Sequence, residues 1–412
     1  MKSRLHLKLS SSGLLALLVL PVGLSAQGPK PAHYTVTDLG TLGGSGTNST
    51  ATEINNAGWV AGSSNLTAGG PQHAFLWYGG GRLHDLGTLN GSACPACNSG
   101  ADGPNLSGEA AVSSETSTYF GSTGEDFCSF GTHRQCLGAI WKNGALKALP
   151  TLKCGSNSNG CKNASAFDLN NRGQVIGFAE NGILDPTCAP GTLYQLYRFE
   201  AVIWGPDGEI RQLQPYGSDT VAFGFGINDN GQAVGSSGLC SNTSLPPLNP
   251  AGEHAVLWES DGTPTDLGNL GGTYNVASSI NNRGVVVGGA MSPIDGTVHA
   301  FRWSRETGMQ DFGAFPGAVI TVAPCCRTIN DRGEMVGWAI NGTTFNSTAL
   351  VWQGKVPVDL NTLIPKDSGW YLQGALSIND AGEIVGYGLI DGNLHAFRAT
   401  RVTADKERRM LF

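Results

Sequence analysis

Ten cysteines are the residues whose spacing most directly suggests chemistry in this sequence. Cys94 and Cys97 form a Cys-Pro-Ala-Cys motif, which is half of the ligand set of a structural zinc site. No second pair follows at matching spacing, and no histidine follows Cys97 directly, which excludes haem attachment. We therefore interpret this pair as a disulfide within one loop.

The other cysteines also suggest disulfides, because neighbours in sequence fall within the same insertion. Cys188 and Cys240 lie in equivalent segments of two adjacent sequence repeats, where a bridge between repeats is one interpretation. The state of the consecutive Cys325 and Cys326 stays open, since a bond between adjacent residues would strain an extended strand. The predicted pairs are Cys94–Cys97, Cys128–Cys136, Cys154–Cys161 and Cys188–Cys240.

Histidines and aspartates recur at two fixed repeat positions. Such rows suggest a metal site or a carboxylate pair, but both need side chains that converge on one point. Residues at one position of successive repeats belong to separate structural units, so we interpret both rows as structural hydrogen-bonding groups. We predict no catalytic residue, metal ligand or cofactor. The rows are His73, His254, His299 and His395, and Asp38, Asp85, Asp266, Asp311 and Asp359.

Aromatic residues outside the repeated pattern are the candidates for ligand binding. They fall in or beside segments that differ between repeats, and clustered on one face they could stack on a sugar or anchor a partner protein. The alternative is that they cover their own long loops. These residues are Tyr119, Phe120, Phe127, Tyr194, Tyr197, Trp338 and Trp370.

The sequence positions these residues within seven copies of one repeat. An Ile-Asn-Asn/Asp-x-Gly phrase is followed by a His-Ala-Phe-Leu-Trp phrase and then by an Asp-Leu-Gly phrase, and six of the nine tryptophans occupy the Trp position. A period near 50 residues is typical of propellers and solenoids. Repeats 1 to 7 are numbered here by their aligned glycines: Gly58, Gly108, Gly173, Gly231, Gly284, Gly333 and Gly382.

Each repeat reads as about four short strands bounded by Gly, Asn, Asp and Pro turns. The last repeat lacks an Asp-Leu-Gly strand of its own, whereas an unassigned copy, 34–40, stands near the start of the chain. We therefore predict an all-β, seven-bladed β-propeller of four-stranded blades, closed by the N-terminal strand docking on the last blade. Six or eight blades, or two domains, are the alternatives.

The repeated phrases resemble a bacterial extracellular repeat family named for its His-Ala-Phe motif, and the resemblance covers nearly the whole chain after residue 26. It implies an exported, propeller-like protein and brings no catalytic residue, substrate or cofactor. Three repeats depart from the motif, with Leu137, Glu200 and Thr348 at the His position.

The first 26 residues predict export. Lys2, Arg4 and Lys8 precede an apolar run of 11 residues, 14–24, which suits a secretory signal peptide and is too short to span a bilayer. We expect a single propeller domain at 27–400, a charged flexible tail at 401–412 and no transmembrane anchor in the mature chain. The compartment is predicted to be extracellular, cell-surface or periplasmic, where disulfides persist.

The composition limits the classes of partner but does not identify one. The chain has 25 basic and 32 acidic residues, a net charge of −7 that argues against nucleic acid as a partner. Alternating strands place both variable connections of each repeat on one face. We predict a binding or scaffold module that holds an unknown protein or glycan through this face. The alternative is a secreted polysaccharide hydrolase or lyase acting there.

Overall fold

The computed structural model describes residues 33–122, 125–154, 161–185, 188, 197–240, 253–325 and 327–402. The short Val-, Ile- and Phe-rich phrases form strands, and no α-helix occurs within these ranges, which confirms the all-β prediction. The described residues belong to one compact unit. The predicted signal peptide, Tyr194, Cys326 and most of the tail lie outside the described residues.

Twenty-eight strands are described, four to each repeat when the first strand is counted with the last repeat. Their bounds are β1 (Tyr34–Gly40), β2 (Ser49–Ile54), β3 (Val60–Asn65), β4 (Gln72–Trp77), β5 (His84–Gly87), β6 (Ser99–Pro104), β7 (Ala110–Tyr119), β8 (Arg134–Lys142), β9 (Ala145–Ala148), β10 (Ala164–Leu169), β11 (Val175–Leu184), β12 (Tyr197–Trp204), β13 (Ile210–Leu213) and β14 (Val221–Ile227). The others are β15 (Ala233–Gly238), β16 (His254–Trp258), β17 (Pro264–Asp266), β18 (Asn275–Ile280), β19 (Val286–Met291), β20 (Val298–Ser304), β21 (Gly308–Asp311), β22 (Ala318–Val322), β23 (Val336–Asn341), β24 (Ser347–Gln353), β25 (Val356–Asp359), β26 (Trp370–Ile378), β27 (Ile384–Ile390) and β28 (Asn393–Arg401).

These strands form five four-stranded sheets and one eight-stranded sheet. The four strands of repeat 1, β2 to β5, are antiparallel neighbours in chain order, and repeats 2, 3 and 4 have the same arrangement. The eight-stranded sheet contains repeats 5 and 6, which one parallel pair, Val298 with Ile320, connects. In repeat 1 the first turn ends at Gly58, whose φ of +79° suits glycine and whose N–H donates to Asn55 O at 3.0 Å.

The sheet of repeat 7 includes both ends of the described chain. β1 pairs antiparallel with β28, from Tyr34 opposite Arg401 to Gly40 opposite Ala396. The sheet order is β1-β28-β27-β26, so β1 occupies the place that the Asp-Leu-Gly strand takes in the other repeats.

The core lies between the faces of neighbouring sheets. Val234 and Leu257 of repeat 4 pack with Ile280 and Phe301 of repeat 5 in one buried cluster. The repeated tryptophans are buried there, as the sequence predicts, and some bond to the preceding repeat: Trp204 Nε1 donates to Pro150 O at 2.8 Å. Burying such large rings is a main source of stability in a fold whose sheets are small.

Candidate functional site

The Ile-Asn turns of all seven repeats meet in one ring of asparagines. Each Asn Nδ2 donates to the backbone oxygen of the equivalent asparagine in the next repeat over 2.9–3.4 Å, and Asn379 donates to Asn55 at 3.1 Å. The hydrogen bonds therefore form a closed cycle. We call these residues the inner ring: Asn55, Asn105, Asn170, Asn228, Asn281, Asn330 and Asn379.

Each inner-ring asparagine is fixed by its own turn. Asn281 Oδ1 accepts from the N–H groups of Arg283 and Val285 at 3.0 Å each. Five of the others make both equivalent bonds, and Asn379 makes the one from Glu383 N–H. In five repeats a Glu or Gln four residues after the asparagine also accepts from its Nδ2: Glu109, Gln174, Gln232, Glu334 and Glu383. The sequence predicted turns here, but it did not predict the contact between repeats.

The residues after the inner ring form a second, more exposed outer ring. Asp229 N–H donates to Asn282 Oδ1, and Asn282 N–H donates to Asp331 Oδ1, at 2.8 Å each. Leu106 has no side-chain acceptor, so it interrupts this pattern. The outer ring is Asn56, Leu106, Asn171, Asp229, Asn282, Asp331 and Asp380. Members of both rings line a cavity of about 60 Å³, which has room for a few water molecules only.

Arg327 lies at this cavity and neutralises buried carboxylates from two other repeats. Its Nε is 2.6 Å from Glu53 Oε1 and 3.9 Å from Asp168 Oδ1, and its Nη2 donates to Leu169 O at 2.8 Å. Burial raises the pKa of Glu53 well above its usual range and also raises the pKa of Asp168, whereas Arg327 lowers both. One guanidinium therefore contacts buried carboxyl groups of repeats 1 and 3, which stabilises their charged forms against the cost of burial.

The variable connections lie at the opposite end of the sheets. Antiparallel strands place the Ile-Asn turns and the third-to-fourth turns on one side, the asparagine face, and the other connections on the loop face. The structure joins four cysteine pairs in or beside the loop-face connections, in the pairing that the sequence suggested: Cys94–Cys97, Cys128–Cys136, Cys154–Cys161 and Cys188–Cys240. Cys325 is a free thiol.

Two of the disulfides, Cys128–Cys136 and Cys188–Cys240, pack on a cluster of phenylalanines. Neighbouring rings have centroid separations of 4.3–5.9 Å, and Cys136, Cys188 and Cys240 are buried in the same cluster. The rings belong to Phe127, Phe167, Phe178, Phe199, Phe223 and Phe225. Phe127 is 4% exposed and packs on Phe178, so we correct its interpretation as a ligand-binding residue: it supports its loop from below.

The other aromatic candidates that the structure describes lie on different strands. Tyr119 is 57% exposed at the end of β7, and Tyr197 begins β12 opposite Leu184. Trp338 packs against the buried residues of β20 and β22. Trp370 contacts Phe397 edge to face, with ring centroids 6.0 Å apart. Tyr194 lies outside the described residues.

The histidine and aspartate rows make the structural hydrogen bonds that the sequence suggested. His73 Nδ1 lies 2.9 Å from Asp85, and His395 Nδ1 lies 2.9 Å from Asp38 of β1. His299 bonds both Asp311 and Asp295; burial lowers its pKa, but the two carboxylates outweigh burial and raise it. His254 pairs with Asp219 instead of Asp266. Each of the four row histidines therefore ties a third strand to another segment, whereas Asp266 and Asp359 accept from the N–H groups of Gly268 and Asn361.

Two buried acids near the loop face have strongly perturbed pKa values. Burial and the adjacent Glu125 raise the pKa of Glu180, whose Oε2 accepts from the N–H of Asn163 at 2.9 Å. Burial raises the pKa of Glu200 to about 7, despite hydrogen bonds from Asn181 and Gln212. Glu200 stands at the His position of repeat 3, and sequence reasoning noted this departure without assigning it a role.

The described part of the chain contains no group of three His, Cys, Asp or Glu residues arranged to hold a metal ion. Among the described residues, no helix has the length and hydropathy needed to cross a bilayer.

Comparison with known proteins shows the fold. No family model and no curated protein matches the sequence. The structure resembles a puromycin hydrolase at a TM-score of 0.52 and 12% identity; the match covers 90% of this chain and 56% of that one, so the chain spans just over half of its length. It also matches the β-propeller domain of the trilobed protease from Pyrococcus furiosus at 0.48 and 8%, over 87% and 98% of the two chains. The protein has a propeller-type fold of four-stranded sheets.

Proposed function

We propose that this protein is an exported seven-bladed β-propeller that acts as an extracellular binding or scaffold module through its loop face. The cycle of seven inner-ring hydrogen bonds and the pairing of β1 with β28 support the blade count and the closure. The likeness to the His-Ala-Phe repeat family supports export, as do the four disulfides.

One observation carries the binding role: two disulfides of the loop-face connections, Cys128–Cys136 and Cys188–Cys240, are anchored on the phenylalanine cluster. Segments held in this way lose little conformational entropy on binding, and a rigid scaffold with variable loops is a common arrangement for recognition. Exposed apolar side chains stand on the loop face of these repeats at the ends of β7 and β11, where Tyr119 and Leu184 are 57% and 66% exposed.

The test is binding to arrays of extracellular glycans and proteins with matched variants on the two faces. We expect Tyr119→Ala with Leu184→Asp to lose the ligands of the wild type by about tenfold or more, since such exposed anchors carry most of an interface energy. Asn230→Ala, on the exposed asparagine face, is the control and should keep them. Ligands that respond to neither variant, or only to Asn230→Ala, would show that the loop face is not the binding surface.

Export has its own test. The full-length chain and a chain lacking residues 1–26 are expressed in a bacterium, and the mature N-terminus is sequenced. We expect the full-length chain to leave the cytoplasm with its leader removed. Retention of an uncleaved leader in the cytoplasm would contradict this part of the proposal.

A further inference from the structure

One pair of facing positions beside each asparagine turn is polar in most repeats. The positions are the residue before the second strand and the residue that opposes it after the tryptophan of the third strand. In repeat 2 they hold Glu109 and Lys142, which form an ion pair. In repeat 4 they hold Gln232 and Glu259, with Nε2 donating to Oε2 at 3.0 Å. These repeats therefore show which residues the fold accommodates at the two positions.

Repeat 1 has two aromatic rings at these positions. Trp59 and Tyr78 meet edge to face, with ring centroids 5.4 Å apart and planes at 79°. Trp59 cannot accept the hydrogen bond that a Glu or Gln takes from the inner-ring amide in five other repeats. Repeat 1 therefore lacks this hydrogen bond, which contributes about 1 kcal/mol. It has instead two aromatic rings that the fold of the other repeats does not require.

Further departures from the repeat pattern surround this pair. Leu106, the interruption of the outer ring, is 50% exposed in the adjacent turn of repeat 2. A Cβ at Gly108 in that turn would lie 3.7 Å from the Trp59 ring. On the other side the His84 ring lies 6.2 Å from Tyr78. Trp59, Tyr78, His84 and Leu106 make up what we call the aromatic strip.

The strip is open to solvent. Tyr78 is 42% exposed, and the turn that follows it consists of three glycines with positive φ, Gly79, Gly80 and Gly81. A Cβ at any of the three would meet no atom within 4 Å. The turn therefore has no side chain that could cover the Tyr78 ring.

Size decides the kind of ligand. The exposed parts of these side chains amount to on the order of 200 Å², since a whole aromatic residue presents roughly 150–250 Å². A stable protein interface takes about 800 Å² from each partner, so the strip is too small for one. It matches the apolar face of one or two sugar rings, with the His84 imidazole and the Arg82 guanidinium of the same connection as hydrogen-bonding groups for hydroxyls.

We propose that the aromatic strip is a glycan-binding site on the asparagine face, with the exposed Tyr78 ring stacking on a pyranose ring and Trp59, nearly perpendicular to it, fixing the orientation of Tyr78. This site is separate from the loop face, so it stands or fails independently of the function proposed above.

The experiment transplants the pair of repeat 4 into repeat 1. The double variant Trp59→Gln with Tyr78→Glu restores the polar framework and should keep the thermal stability of the wild type. Isothermal titration and tryptophan fluorescence are recorded with cellohexaose, chitohexaose and mannohexaose. We expect at least one hexasaccharide to bind the wild type, to bind the double variant about tenfold more weakly or worse, and to bind Tyr78→Phe unchanged.

The matched control is Gln353→Ala, which alters the Tyr78 position of repeat 6 and should leave binding intact. Equal affinity of the wild type and the double variant would overturn the proposal. So would the failure of all three hexasaccharides to bind at millimolar concentration, or a protein ligand that is lost in the double variant while no sugar binds. If the double variant unfolds, Tyr78→Ala decides by the same titration.

Discussion

The two ends of the sheets follow opposite rules. On the asparagine face one hydrogen bond recurs seven times, from each inner-ring amide to the next repeat. On the loop face of repeats 1 to 4 no two connections have the same cross-link: one disulfide closes a three-residue step, and another joins connections that are 52 residues apart. The asparagine face thus repeats one contact, and the loop face varies its contacts.

This difference teaches where stability and recognition reside. A contact made once per repeat fixes the spacing of sheets, and a change in any copy affects the same geometry. A contact made once per molecule can differ without disturbing the sheets, which is what a recognition surface requires. The aromatic strip is informative for the same reason, because it places two aromatic rings where the other repeats have none.

The largest expected effect comes from the long disulfide of the loop face. Cys188→Ser with Cys240→Ser opens a 52-residue loop and should lower the free energy of unfolding by about 4 kcal/mol, measured by urea denaturation. Cys94→Ser with Cys97→Ser opens a much shorter loop and should lower it by about 2 kcal/mol. Equal losses of unfolding free energy would mean that the disulfide between repeats stabilises the protein no more than the disulfide within one loop.

The inner ring should be nearly as sensitive. Asn281→Ala leaves the N–H groups of Arg283 and Val285 and the Asn330 carbonyl without their partner, at about 1 kcal/mol each, or about 3 kcal/mol in urea denaturation. Asn282→Ala removes the exposed side-chain contacts of the outer ring with Asp229 and Asp331, whereas the bond from its backbone N–H stays, and it should cost less than about 1 kcal/mol. If both variants lose the same amount, the distinction between the two rings fails.

A pH-dependent effect distinguishes repeat 3 from its neighbours. Glu200 has a folded pKa of about 7 against 4.5 for an ordinary Glu, so its contribution to stability is full below pH 4.5 and is lost as the pH rises through 7. Wild type should lose up to about 3 kcal/mol between pH 4.5 and 8 that Glu200→Gln retains. The measurement is urea denaturation across that range, with the exposed Glu209→Gln as control. Parallel pH profiles for wild type and Glu200→Gln would contradict this assignment.

The smallest effect tests whether the two chain ends behave like an internal repeat. Asp38→Asn weakens the partly exposed bond to His395, and Asp85→Asn weakens the equivalent bond to His73. Each should lower the free energy of unfolding by about 0.5–1 kcal/mol. Hydrogen exchange of β1 and β5 should rise by similar factors. A much larger change in β1 would show that the junction of the ends is weaker than the other third-to-fourth strand pairs.

The features that recur in each repeat could be predicted from the sequence. The strands, the burial of the tryptophan row and the His73–Asp85 type of pair follow from one repeated pattern, because the same local environment recurs with each copy. The four cysteine pairs could be suggested by proximity along the chain, since three of them close short loops.

The remaining features depend on contacts between distant repeats. Arg327, Glu53 and Asp168 meet only because repeats 6, 1 and 3 face one another, and nothing in their sequence spacing indicates it. Phe127 was misinterpreted because a loop aromatic that packs inward has the same sequence signature as one that faces solvent. The sequence shows that Trp59 and Tyr78 differ from the residues at the same positions of other repeats. Only the register of β3 and β4 shows that the two positions face each other.

The pairing of β1 with β28 has a consequence for biogenesis. Some 360 residues separate partners such as Tyr34 and Arg401, so this sheet is incomplete until β28 has been synthesised. Until then β1 and β27 each lack the strand that pairs with both of them, and such unpaired edges invite association with other chains. Threading through a membrane before folding would keep these edges apart, and the molecule would complete itself only on the far side.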